Sequence, residues 1–586
     1  MDTIPGLFLS LVSEAPERVL VHTPEGNDGG QWRWRPWTLS EVHGQISGLA
    51  RRLYALGVAS GTPVAILAET SHLWMATDLA VLCLGGVTVG LYPTLTGTQA
   101  AALLKHSGAR VLIVDGQHQL DKLDPHLDEL DELVHIFSFS PAAGAAQLHP
   151  AEPDPAFLRA RADAVRPADP ATVVYTSGTT GAPKGAVLTH RNLAATARAS
   201  KALLPLRDGD RSILYLPMAH ILQRIVGYRG LMEGAAGYFA PSIDALPALL
   251  AQTSPTVLAV VPRVLEKIKA RAEATAAARG PVSAAVLSWA IAVGRTQAAA
   301  ERAGKRPQRR LLIQRAIAER LVYEKIRSRL GGELRLLISG GAALSPAVHT
   351  WFEAIGVSVR EGWGLTETSG PATLNPLNTY TPGSVGVPLP GFEVRVAEDG
   401  ELQVRGVGVF AGYLHDEAAT AAAFTDDGFF RTGDIGIIDD DGCTWVVGRS
   451  KELLITAGGK NVPPVPTERK LEEARLIDQA VLVGDRRPYL CALLSLDAEV
   501  LSAMAQEGGW PGDAAVWRTR ASVRAAVQHH VDAVNATLAP HETVKRFAFL
   551  SRPLSVAGGE LTPTLKLRRD PIGRKYAALI DALYEA

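Results

Sequence analysis

Cysteine is scarce in this chain, with Cys83, Cys443 and Cys491 the only three in 586 residues. They are odd in number, far apart and set in apolar surroundings. That argues against a disulfide framework or a cysteine metal site and fits buried thiols in a reducing, cytoplasmic setting. A dominant charge is also missing. The formal net charge is −1, so no overall field draws the chain to nucleic acid, and none is expected as a partner. The first apolar stretch, in MDTIPGLFLSLVSEAPERV, has no basic segment before it and is not read as a signal peptide. Long uninterrupted apolar runs are missing too. The longest uncharged run starts at Leu79, but Gly85-Gly86 and Pro93 break it into a helix, a turn and a strand. No internal repeat and no low-complexity tail is present.

What remains is a chain of ordinary globular composition, 47% hydrophobic, long enough for roughly three or four domain-sized units. TLSEVHGQISGLARRLYALGV has a capped, acidic start at Thr38, Ser40 and Glu41, then apolar positions at helical spacing. PVAILAE follows as a buried strand. ARVLIVDG, HIFSFS, TVVYTS, SILYLP, TVLAVVP and LRLLISGG are further short β-rich runs, many separated by helical stretches. This alternation predicts an α/β fold with a largely parallel sheet and helices on its faces. Residues from about 264 to 331 form an Ala- and Arg-rich helical insert in which Arg302, Lys305, Arg306, Arg309 and Arg310 crowd together. A solvated surface is the plain reading of it; contact with an anionic membrane surface or a partner is the sharper one. From about 380 to 449 the texture is strand, glycine and proline, a small β-rich subdomain. A separate α+β unit follows.

TVVYTSGTTGAPKGAVLTH, Thr172 to His190, carries the strongest local signal. A β-branched strand runs into a loop of hydroxyls and glycines. Backbone N–H groups freed by glycine converge on one point, hydroxyls add donors and Lys184 adds charge, a nest suited to phosphate oxygens. It is not a Walker loop, because Pro183 precedes the lysine and no Gly-Lys-Ser/Thr opens a helix. A flexible surface linker is the bland alternative.

YTSGTTGAPKG resembles the pyrophosphate-handling loop of the adenylate-forming acyl-CoA synthetases, relatives of firefly luciferase and of peptide-synthetase adenylation domains. The resemblance covers nearly the whole chain, with the motifs in the family's order. YLPMAHILQR, VPRVLEKI and GELTPTLKLRR look most like the long-chain fatty-acid branch. The resemblance implies a large N-terminal domain, 1–449, of two αβ-layered subdomains plus the β-rich one, and a small mobile α+β C-terminal domain, 450–586.

Site residues follow by the same resemblance. Thr176, Ser177, Gly178, Thr179, Thr180, Gly181 and Lys184 would hold phosphates. Gly340, Gly341 and Ala342 of ISGGAALS would wall the adenine and acyl pocket. EGWGLTET supplies Glu361, Gly362, Trp363, Gly364, Leu365 and Thr366 to the nucleotide. Trp363, where the family more often has tyrosine, would stack on adenine. Glu367 would join Thr176 on Mg²⁺, since a carboxylate beside a triphosphate makes sense as a metal ligand. Asp434 would accept the ribose hydroxyls and Arg449 would hold ribose or phosphates. Lys451 matches the hinge, and Gly458, Gly459 and Lys460 match the loop lining the coenzyme A tunnel. Lys566 would be the mobile cation of adenylation. His220 would shape the acyl site near the carboxylate; an ionised carboxylate needs no general base.

The implied reaction is ATP-dependent activation of a fatty acid, then thioester formation with coenzyme A. The alternatives are a ligase that loads a carrier protein, a luciferase-like oxygenase, and a non-catalytic nucleotide or fatty-acid sensor. Peripheral contact with the inner face of the membrane and a homodimer are further expectations.

Overall fold

The structure is a computed structural model that describes residues 2–176, 183–458, 460–562 and 566–585. Its first layer is set by local chemistry. Thr38 Oγ1 accepts the Glu41 N–H at 3.2 Å while Glu41 accepts the Thr38 N–H at 2.8 Å, a reciprocal cap on the helix Leu39–Ala55. Leu39, Val42, Ile46, Leu49 and Leu53 recur at helical spacing on its buried face.

That face covers an eight-stranded sheet. Its order is Gly412–Tyr413, Lys184–Thr189, Pro170–Thr176, Val87–Leu91, Pro63–Leu67, Val111–Val114, His135–Ser138 and Ala146–Gln147. Neighbours are parallel from Pro170–Thr176 onward, and the first two strands add antiparallel edges. The four central parallel strands are almost wholly buried, which is why they read as continuous apolar runs. The run from Leu79 resolves into the helix His72–Cys83, a turn at Gly85 with φ +72°, and the strand Val87–Leu91. Among the described residues no helix is long and apolar enough to cross a membrane.

A second, five-stranded sheet follows the order Val257–Val260, Leu336–Ser339, Ser358–Leu365, Gly370–Leu374, Val387–Pro388, parallel in its first three strands. The crossover between its first two strands carries the helices Pro262–Ala278, Pro281–Arg302, Arg309–Ala318 and Glu324–Arg329. A four-stranded sheet joins Arg211–Leu214 and Ala236–Phe239 to the hairpin Val19–Asp28/Gln31–Thr38. The strands Phe392–Val396, Glu401–Gly406, Phe430–Ile438 and Thr444–Arg449 form an all-antiparallel sheet.

After the short turn Ser450–Glu452 the chain builds a last body of its own. Ile477–Val483, Leu490–Leu496 and Val544–Phe549 make a three-stranded sheet, with the helices Pro464–Glu472 and Ala521–Asn535 packed on one apolar core. This body rests on the preceding one through polar contacts. Arg263 pairs with Asp478, Arg469 with Glu266 at 3.5 Å, and Ser345 Oγ donates to Glu473 at 2.6 Å. Cys83 and Cys491 are buried, Cys443 is half-buried, and all three are free thiols.

Candidate active site

The strand Ser358–Leu365 delivers EGWGLTET to the cleft. Gly364 sits where a Cβ would lie 1.9 Å from the Gly370 carbonyl oxygen, so the antiparallel return at Gly370–Leu374 demands glycine there. Trp363 is buried, and its indole N–H donates to Asp434 Oδ2 at 2.8 Å. Asp434, paired in register with Arg449 on the neighbouring strand, holds the Arg449 guanidinium at 2.9 Å through Oδ1. Each carboxylate oxygen of Asp434 therefore has one partner and keeps a lone pair for a further donor.

Glu361 is placed differently from Trp363. It is buried, with Oε1 3.1 Å from His349 Nδ1 and Oε2 accepting the Leu344 N–H. The His349 pKa is raised: burial opposes the charge, but the bonds to Glu353 and Glu361 outweigh it. Glu361 thus ties the loop after Gly340-Gly341 to the strand. Gly341, at φ +83°, makes the turn there, and Ala342 is exposed on the rim.

Glu367 is buried in the turn Thr366–Thr368 and accepts the Tyr413 hydroxyl at 2.9 Å. Burial raises its carboxyl pKa, opposed by the Tyr413 bond and by Arg449. Tyr413 also places its ring 4.9 Å from the Lys184 ammonium. Thr176 ends the strand Pro170–Thr176 opposite Lys184, and its hydroxyl lies 3.4 Å from the Lys184 carbonyl. Thr176, Lys184 and Glu367 are therefore gathered at one edge of the sheet. Ser177, Gly178, Thr179, Thr180, Gly181 and Gly459 lie outside the described residues.

His220 caps the helix Ile221–Glu233: its Nδ1 accepts the Leu222 N–H at 3.1 Å, so the ring is neutral with its proton on Nε2. Burial pushes its pKa down to about 4, and the Lys566 charge pushes the same way. Lys566 belongs to the last body. The loop bearing it is pinched by two bonds between Thr562 and Lys566, from the Thr562 N–H to the Lys566 carbonyl at 2.8 Å and from the Lys566 N–H to Thr562 Oγ1 at 3.0 Å. Three residues on, Arg569 forks onto Glu468 with two 2.7 Å bonds, anchoring the loop to the helix Pro464–Glu472. The Lys566 side chain is solvent-accessible, yet enough protein surrounds it that desolvation lowers its pKa. Arg449 lowers it further, and Asp434, Glu452 and Glu367 oppose both. One cation thus shares a field with His220, Arg449, Asp434 and Glu367, four residues of the other body.

Lys451 is exposed in the turn between the two bodies. Gly458 and Lys460 are exposed on a hairpin whose bonds run between Thr456 and Lys460 and from Ala457 to Arg487. None of these bonds reaches the Lys566 cleft. Tyr413 and Arg569 carry geometry that residue-by-residue reading of the motifs does not assign. Their only sequence signal is position, inside AGYL and inside LKLRR.

Two family descriptions match this chain: AMP-binding enzyme over residues 13–414, and AMP-binding enzyme C-terminal domain over residues 451–586. The chain is 38% identical over 559 residues to the long-chain-fatty-acid–CoA ligase FadD15 of Mycobacterium tuberculosis, covering 94% of this chain and 92% of that protein. It is 31% identical to the human long-chain-fatty-acid–CoA ligase ACSBG1, over 95% of this chain and 82% of that one. Its fold matches the anthranilate CoA ligase AuaEII, solved with anthranoyl-AMP, with TM-score 0.73 at 21% identity over 99% of this chain and 98% of that one. It also matches the adenylation domain of a Mycobacterium chelonae carboxylate reductase, with TM-score 0.79 at 21% identity over 100% of this chain and 91% of that one. The fold, a larger N-terminal and a smaller C-terminal unit, and the two matched segments place the chain in the family of AMP-binding enzymes.

Proposed function

We propose that this protein activates a long-chain fatty acid with ATP and transfers the acyl group to coenzyme A, releasing AMP and pyrophosphate. The observation that supports the proposal is the joined group in which Asp434 accepts the Trp363 indole N–H and pairs with Arg449 while Tyr413 links Glu367 to Lys184, with the Lys566 charge acting on it from the last body. A free carboxylate resists thiol attack because oxide is a poor leaving group. In the first step its oxygen bonds to the α-phosphorus and the bond to the β-phosphate breaks, so pyrophosphate leaves. Lys566 and Arg449 suit the charge developing on the phosphoryl oxygens, and Asp434 suits the ribose hydroxyls. Neutral His220 beside the entering carboxylate fills space without competing for a proton. In the second step the thiol sulfur attacks the acyl carbon and AMP leaves, its proton going to solvent.

Mg²⁺ fits this donor set. Glu367 is a single buried carboxylate near Thr176, and Mg²⁺ is commonly held by one or two carboxylates plus substrate phosphates. Bound there, the metal would neutralise phosphate charge. Among the described residues no three His, Cys, Asp or Glu side chains cluster as an all-protein metal cage, which agrees with a metal carried in on ATP. Gly458 and Lys460, with Gly459, are proposed to meet the pantetheine arm after rotation at Lys451, with the division of the chain at 449/450.

The test is AMP and pyrophosphate release from ATP-Mg²⁺ with a ladder of acids from acetate to oleate, with and without coenzyme A. Turnover with long acids that requires coenzyme A is expected. Pyrophosphate release without thioester would replace coenzyme A by a carrier protein. No release with any acid would overturn the proposal.

A further inference from the structure

Behind the strand that delivers Trp363 the protein buries a second cluster of charged side chains. His349 lies on the helix Pro346–Ala354 with none of its side chain exposed. Its Nδ1 is 3.1 Å from Glu361 Oε1 and its Nε2 is 3.3 Å from Glu353 Oε1. Both carboxylates are buried. Three further groups face the cluster. Arg302, at the end of the helix Pro281–Arg302, donates to Glu353 Oε2 at 2.5 Å. Arg360, on the strand Ser358–Leu365, stands 3.6 Å from Glu353 Oε1 and donates to the Val359, Pro376 and Leu377 carbonyls. Tyr380 stacks on the imidazole, the rings 5.8 Å apart and 13° from parallel. Both arginines thus lean on Glu353, while the partners of Glu361 are His349 and the Leu344 N–H.

An imidazolium suits this position better than a neutral ring. With both nitrogens protonated it offers an N–H to a carboxylate on each side. In the neutral ring, whichever nitrogen keeps the proton, the other turns a lone pair onto a carboxylate oxygen, and burial magnifies that repulsion. Burial alone would lower the His349 pKa, yet its bonds to Glu353 and Glu361 raise it.

Glu361 carries this charge towards the site. Its Oε2 accepts the Leu344 N–H at 3.2 Å, and Leu344 closes the loop that opens at Gly340-Gly341. A Cβ on Gly340 would lie 3.7 Å from Leu222 and 3.8 Å from the Gly362 carbonyl oxygen. The loop therefore packs between the helix that starts behind His220 and the strand that delivers Trp363. We propose that protonated His349 is a positioning residue for the nucleotide pocket: it fixes Glu361, Glu361 fixes the Leu344 N–H, and the loop 340–344 is held in place for the adenine. Only the last link rests on the function proposed above, in which ISGGAALS walls the adenine pocket.

The experiment measures ATP-Mg²⁺ and inorganic pyrophosphate binding to the full-length protein by calorimetry, from mildly acid to alkaline pH. The tie is made while His349 is charged and is lost as pH rises through its raised pKa. The ratio of ATP to pyrophosphate affinity in the parent should therefore fall about tenfold over that rise. In His349→Gln the ratio should start at the lower value and stay there, with KM for ATP raised and kcat altered less. Amide exchange without nucleotide reads the first two links: the Leu344 amide should be protected in the parent and exchange faster in His349→Gln. The parent's own pH course decides the matter should the variant fold poorly. A ratio that stays constant with pH in the parent, or a Leu344 amide equally protected in the variant, would overturn the inference and leave adenylation untouched. Equal loss of ATP and pyrophosphate binding in His349→Gln would overturn it too, as a general loosening of the fold. A parent that binds no ATP at any pH would remove the functional reading and the inference together.

Discussion

Lys566 illustrates how one residue's environment sets a testable property. Its pKa is lowered, by desolvation first and by Arg449 second. In the role proposed for Lys566 the cationic form acts in adenylation, so activity should be present below the folded pKa and lost as pH rises through it. The alkaline limb of pyrophosphate release should therefore fall below the ordinary lysine range. Steady-state profiles would check this; a limb at or above the free-lysine value would contradict it. Lys566→Ala should lower acid-dependent pyrophosphate release by about 10²–10³ and leave thioester formation from supplied acyl-AMP intact. Near-parental pyrophosphate release would remove Lys566 from the first step. Trp363 supports a second prediction. Its indole N–H to Asp434 is a bond to a buried carboxylate, so Trp363→Phe should raise the KM for ATP by about tenfold while altering kcat less. An unchanged KM would mean that Asp434 needs no positioning.

Elements show which features local sequence carries and which it does not. The Thr38–Glu41 cap lies within four residues, and the turn at Gly85-Gly86 within two, so both are legible in the sequence. The alternation of β-rich and helical runs announces the layered α/β architecture for the same reason. EGWGLTET is legible as a motif, yet the differing fates of its residues are not. Glu361 turns to His349 and Leu344 while Trp363 reaches Asp434, because partners outside the motif decide. Tyr413, which holds Glu367 from 46 residues away, is invisible for that reason.

The same distance hides the buried group that locks the helix Ile221–Glu233 to the sheet. Arg224 donates to Asp78 at 2.5 Å and to Thr172 at 2.5 Å, and Tyr228 donates to the other Asp78 oxygen at 2.6 Å, all fully buried. Thr172 lies four residues before Thr176, so the lock sits on the strand whose end is proposed to face phosphate. Removing one partner strands the other charge. Asp78→Asn should cost about 3–5 kcal/mol, whereas Asp78→Leu with Arg224→Met should cost clearly less. Chemical denaturation of the two variants decides it, and equal losses would mean that packing, not charge, dominates. Gly364→Ala belongs to this scale as well. Its Cβ would strike backbone at 1.9 Å, so a melt unchanged from the parent would show that the strand return can shift.

At the scale of the whole molecule, the two bodies meet through charges and hydroxyls, as the proposed rotation at Lys451 would require. Glu472 lies on the helix facing that contact, where burial, helped by the neighbouring Glu468 charge, pushes its carboxyl up to about 7 against the Ala480 N–H and the Arg469 and Arg263 charges. The unfolded carboxyl titrates near 4.5. Stability from the neutral folded form is therefore complete below about 4.5 and is lost as pH rises through about 7. Glu472→Gln keeps the acceptor for Ala480 and removes the titration. It should raise stability by about 2 kcal/mol at pH 8 and far less at pH 5. An equal gain at both pH values would sink this account.

The eight-stranded sheet ends on Gly412–Tyr413, which closes over Ala186–Val187 although it comes more than 200 residues later in the chain. During synthesis the hairpin that bears Lys184 therefore waits with an open strand edge until that late segment leaves the ribosome. At about 5–20 residues per second the wait lasts on the order of ten seconds or more. Throughout it, unpaired N–H and carbonyl groups invite pairing with other nascent chains. A fragment stopped before Gly412 should accordingly precipitate or bind chaperones, while one ending after Leu414 should not. For the cell, the vulnerable moment of this enzyme comes before it has any activity to lose.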